Sequence, residues 1–148
     1  MNIMKKIKTF YIVALFIFSI TRMYGQSPSD IVGKWEGIDY LNNPSELIFT
    51  EDSFVSFTIN GEKLGGENFS IKGQKADLKY FIDSLKNPFW FDFIVYSRTE
   101  KIEKGRIKGV LKFIDIDIIQ IAVSFDGNRI TDFSEKNKES TITLKRIK

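Results

Sequence analysis

From Val32 onward the chain alternates apolar and polar side chains in short runs, and each run stops at a turn signal. That period of two belongs to strands that are buried on one face and wet on the other, and it leaves little room for helices. Val55, Phe57 and Ile59 alternate with Ser56 and Thr58, and Leu78, Tyr80 and Ile82 with Asp77, Lys79 and Asp83. Phe89, Phe91, Phe93 and Val95 face away from Trp90, Asp92, Ile94 and Tyr96, while Ile142, Leu144 and Arg146 face away from Thr141, Thr143 and Lys145. Asn60-Gly61 is a strong hairpin signal because both residues tolerate positive φ. Asn42 to Ser45, Ser84 to Pro88, Asp115-Ile116-Asp117 and Asp126-Gly127 punctuate the remainder, and the polar stretch Asn128 to Glu139 is the longest connection. The pattern predicts an all-β domain, an antiparallel up-and-down β-barrel of about eight strands.

The N-terminal stretch reads differently. Lys5, Lys6 and Lys8 precede an apolar run from Phe10 to Ile20, and a polar exit follows, ending at Gly25. This is the three-part pattern of a secretory signal peptide, too short to span a bilayer, which needs roughly 20 residues. The expectation is therefore a signal peptide over residues 1–25 and a barrel domain over residues 26–148, released to the periplasm or outside the cell with no membrane span left. With no cysteine at the cut, a lipoprotein anchor is not expected. Lys5, Lys6, Lys8 and Arg22 all lie in the removed segment. Of the 22 basic residues 18 then remain, against 19 acidic ones, for a net charge of −1. No basic surplus is left to recruit nucleic acid. The chain also has no histidine and no cysteine. This excludes disulfides and histidine-based triads, and it removes most zinc and copper sites.

Trp35 sits in Gly33-Lys34-Trp35-Glu36-Gly37, and its face of the first strand also carries Gly33 and Gly37, whose small size leaves space for an indole. Arg146 lies on the inward face of the last strand with Ile142 and Leu144. An inward guanidinium needs a partner, because an unpaired buried charge is costly. The face of Trp35 is suited to it, at about 0.5–2 kcal/mol. Gly33, Trp35 and Arg146 are thus expected to close one end of the barrel. A Gly-x-Trp in the first strand with a basic residue in the last resembles the lipocalin, or calycin, pattern. Asp83, Asn87-Pro88, Asp92, Gly109, Gly127-x-Arg129, Phe133 and Leu144-Lys145-Arg146 are similar to a group of uncharacterised bacterial lipocalin-like domains. Where that group has Gly-Ile-Tyr and Arg-Pro-x-x-Phe, this chain has Gly109-Val110-Leu111 and Arg129-Ile130-Thr131-Asp132-Phe133. The resemblance implies a fold and carries no established activity.

An eight-stranded barrel either fills with side chains or holds one small guest. If a guest is held, Phe57, Tyr80, Phe91, Phe93, Leu111, Phe113 and Ile121 are the candidate lining, and their chemistry favours a small hydrophobic molecule. The alternative is a ligandless envelope module that contacts a protein partner through its surface or loops. A salt bridge from Arg129 to Asp83 or Asp92 would tether the long polar loop to the barrel. No carboxylate pair is singled out as glycosidase chemistry requires, and Asp115-Ile116-Asp117 lacks the glycine and distal glutamate of a calcium loop. The chain therefore reads as a monomeric non-enzyme without cofactor or metal.

Overall fold

The computed structural model describes residues 25–148, so the expected signal segment lies outside the described residues except for Gly25. A short 3-10 turn, Pro28–Ile31, leads into the first strand; it is capped by the Ser27 side chain and has Asp30 reaching back to the Ser27 backbone. Ten strands follow: β1 Gly33–Ile38, β2 Pro44–Phe49, β3 Val55–Ile59, β4 Glu62–Gly65, β5 Phe69–Ile71, β6 Gln74–Asp83, β7 Phe89–Ser97, β8 Glu103–Asp115, β9 Ile118–Ser124 and β10 Thr141–Ile147. A second 3-10 segment, Glu135–Ser140, precedes β10. Among the described residues no helix is long and apolar enough to cross a membrane.

The strands form one antiparallel sheet in the order β4-β3-β2-β1-β10-β9-β8-β7-β6-β5. Neighbours in sequence pair with one another except at the seam, where β1 pairs with β10 and β4 and β5 part. The two ends of the sheet then meet. Phe54 bridges to Lys79, and the Tyr80 amide donates to the Ser53 carbonyl at 2.9 Å. Gly66 donates to Val55 at 2.7 Å and accepts from Leu78 at 2.9 Å. The result is a nearly closed up-and-down barrel.

There are ten strands rather than about eight. The additional length is in β4 and β5, short strands hairpinned onto β3 and β6. Both hairpins use two-residue turns with positive φ, Asn60-Gly61 (51° and 83°) and Lys72-Gly73 (48° and 79°), matching the strand twist as such turns do. Glu62 to Gly65 lacks strong apolar alternation, so the first hairpin's return strand carries little periodic signal. Strand β8 also begins earlier than its apolar pattern, because Glu103 to Arg106 pair with β7 while facing water.

The interior is layered. Trp35, Phe49, Val55, Phe91, Leu111, Ile119 and Leu144 are fully buried in its lower half. A column of edge-to-face aromatic contacts rises through it, with ring centroids 5.1 Å apart for Tyr80–Phe49, 6.0 Å for Phe49–Phe91, 4.8 Å for Phe91–Phe93 and 5.7 Å for Phe93–Phe57. Each such pair contributes about 0.5–1.5 kcal/mol beyond its buried area. On the outside, Val110 and Ala122 pair across β8 and β9 and are fully buried despite facing away from the core. The connection from Phe125 to Ser140 runs past this face: Arg129 hydrogen-bonds to the Gly109 carbonyl at 2.6 Å, and the Lys112 ammonium lies 4.5 Å over the Phe133 ring.

Candidate functional site

At the lower end, strand pairing sets Trp35 opposite Arg146. The guanidinium carbon lies 4.2 Å from the centre of the indole ring, which is completely buried. The indole N–H donates to the Ile31 carbonyl at 2.7 Å. Arg146 donates to the carbonyls of Val32 at 2.9 Å and Ile116 at 3.1 Å, and also to that of Asp30. Its Nε lies 3.2 Å from the Asp117 carboxylate. One side chain therefore ties the 3-10 turn, β1, β10 and the β8–β9 turn together. Lys148 also reaches Asp117, at 3.0 Å, and its donated hydrogen bond, ahead of the charges of Lys148 and Arg146, holds that carboxyl below the usual carboxylate range.

The glycines around Trp35 make room for β10 rather than for the indole. A Cβ on Gly33 would lie 2.9 Å from Arg146 Nη1, and one on Gly37 would lie 2.4 Å from the Thr143 carbonyl oxygen. Gly33 also has φ of +134°, where a side chain is strained. Gly33→Ala is expected to cost about 1–3 kcal/mol, from backbone strain and a displaced guanidinium. Urea denaturation reads this directly, and an unchanged midpoint would mean that the site tolerates the methyl group.

The upper end is open. A cavity of about 450 Å³ enters the barrel there, walled by Leu47, Phe57, Phe93, Ile107, Ile121, Val123 and Ile142. Tyr40, Ile59, Leu64 and Phe125 surround the mouth, and all four are substantially exposed. Of the expected lining residues, the cavity has Phe57, Phe93 and Ile121. The other four lie elsewhere, although strand register sets Tyr80 opposite Phe93 and Leu111 opposite Ile121. Phe91 and Leu111 are fully buried beneath the cavity. Phe113 packs edge-on against Phe89 with centroids 6.4 Å apart. The Tyr80 hydroxyl donates to the Thr50 carbonyl at 2.8 Å, and burial pushes its pKa up.

Two carboxylates stand at the mouth, Asp39 and Glu139. Asp39 accepts from the Asn43 side chain at 3.0 Å and from the Asn43 amide at 2.8 Å; these bonds hold it below the usual carboxylate range. The Tyr40 hydroxyl faces Glu139, whose accepting oxygens and charge push the phenol above its ordinary range. Alternation shows neither acid, since both lie in connections rather than strands. Among the described residues no three acidic side chains gather as metal ligands would.

A third cluster is on the outer wall. Asp92 points outward from β7 yet is 2% exposed. Its oxygens lie 2.6 Å from Arg129 and 2.8 Å from Arg106, and the Arg129 guanidinium is 4.3 Å over the Trp90 ring. Asp83 takes no part in this tether; it accepts from the Leu85 amide at 3.0 Å within its own turn. Arg106 is absent from the sequence-based assignment because it precedes the apolar part of β8. It also pairs with Glu103 at 2.8 Å, and the two acids together raise its pKa above the ordinary guanidinium value.

No family model matches the chain, and the search of curated proteins finds no match. Among solved structures the chain is similar to the crystal structure of Treponema pallidum Tp0751 (Pallilysin), at 13% identity and a TM-score of 0.45, over 95% of this chain and 98% of that one.

Proposed function

We propose that the chain is an exported, lipocalin-like monomer that carries one small hydrophobic molecule in the open end of its barrel and performs no catalysis. One observation carries this reading: the apolar cavity of about 450 Å³ opposite the sealed end. That volume falls within the roughly 300–1,000 Å³ of typical small-molecule sites. Its walls are aliphatic and aromatic, so burial of an apolar guest supplies about 25 cal/mol for each Å² removed from water. The packed lower half keeps the walls rigid, which lowers the ordering cost of binding.

The neutral dye N-phenyl-1-naphthylamine should bind and brighten, and native mass spectrometry of the purified protein should show a co-purified guest. Val123→Trp fills the cavity from its wall and should weaken dye binding at least about tenfold, because an occupied cavity excludes the guest. A dye that stays dark, together with a protein that purifies empty, would remove the carrier reading. Equal binding by Val123→Trp would locate the dye outside the barrel.

A further inference from the structure

The charge at the cavity mouth has one sign. Among the described residues, Asp39 and Glu139 are the charged residues that border the cavity, and no lysine or arginine does. Neither carboxylate forms an ion pair among the described residues. The nearest cation in sequence to Glu139, Lys138, is instead committed to Glu135 at 2.6 Å. Two exposed aromatic rings, Tyr40 and Phe125, border the same opening. An apolar chamber with two unneutralised carboxylates and two aromatic faces at its entrance suits a cation on an apolar tail, since carboxylates and π-faces both attract a positive head.

We infer that the occupant is an amphiphile with a cationic head, an alkylammonium type of molecule, and that carboxylate-headed lipids are disfavoured. This rests on the reading of the open end as a ligand cavity, and it specifies the head-group class. The apolar tail takes the space between Phe57, Phe93 and Ile121, and the ammonium stays at the mouth between Asp39 and Glu139. There it keeps part of its hydration, so its desolvation cost is small. A single carboxylate about 4 Å away in water favours a cation by about fivefold and disfavours an anion by the same factor. One such carboxylate should therefore separate the two head groups by about twenty-fivefold.

Isothermal titration of decylammonium, decanol and decanoate, each below its aggregation concentration at pH 7, tests this with matched tails. Decylammonium should bind tightest, decanol next and decanoate weakest, with a span of about twenty-fivefold or more between the extremes. Raising the salt to 1 M should narrow that span, because the mouth is open to solvent. Glu139→Gln should narrow it about threefold or more; this substitution keeps the side chain's length and disturbs no turn. Decanoate binding as tightly as decylammonium overturns the inference. If decanol binds under those circumstances, the carrier reading survives the loss. If none of the three binds, both fall together.

Discussion

Trp35→Ala should lower the melting temperature by roughly 10–20 °C, the largest shift expected of any single substitution in this barrel. The indole is completely buried, so its removal leaves a void; large aromatic-to-alanine changes in cores cost about 3–5 kcal/mol. One kcal/mol corresponds to a few degrees in a domain of this size. The loss extends beyond packing. Arg146 forfeits the ring it covers, and the Ile31 carbonyl forfeits its 2.7 Å donor. Trp35→Phe keeps part of the ring and removes the N–H, so it should fall between the two. Thermal unfolding followed by circular dichroism separates the three proteins. A shift under about 3 °C for the alanine variant would show that the floor of the barrel does not depend on this contact.

Asp92→Ala should have the second largest effect. Removing one partner of a buried ion pair strands the other, at about 3–5 kcal/mol. Arg106 and Arg129 retain partial access to water, which places the loss near the lower limit. The consequence should be local before it is global. Arg129 is the anchor of the connection from Phe125 to Ser140, so trypsin should cut after Arg129, Lys136 or Lys138 in the variant far sooner than in the parent protein. Equal cutting rates would assign the anchoring to other contacts.

The same carboxyl gives a pH dependence. Burial pushes the Asp92 pKa up, but the Arg129 ion pair and the hydrogen bond and charge of Arg106 outweigh it and hold the group below its ordinary value. A pKa that is lower folded than unfolded contributes stability above the unfolded value, about 3.9, and that stability is lost as pH falls through the folded value. Acid should therefore loosen the outer connection in the parent protein, and the Asp92→Ala variant should lack that share of the acid sensitivity.

The closure at the floor was legible because two residues and a strict alternation specify it. Trp35 and Arg146 fall on inward faces of strands that pair in register, and the register follows from counting by twos. The division of the interior was not legible. Phe57 and Phe91 look alike along a strand, yet one borders the cavity and the other is sealed below it. Height within a barrel depends on how successive hairpins stagger, and alternation says nothing about stagger. Arg129 could be matched in sequence to Asp83 or Asp92, without a choice between them, and the structure selects Asp92. Arg106 could not, since a wet face of β8 gives no apolar signal, and the burial of Asp92 depends on a connection without periodicity. Strand β4 escaped for the same reason, being short and largely exposed.

Arg146 donates to the Val32 carbonyl across 114 positions of sequence, within a seam that joins the first strand to the tenth. Every other pair of strand neighbours is consecutive in sequence, and the pairs from β1 to β4 and from β5 to β9 can form as the chain emerges, but this junction must wait until residues 141–147 have appeared. Until then β1 offers an open row of amides and carbonyls, free to recruit a strand from another molecule.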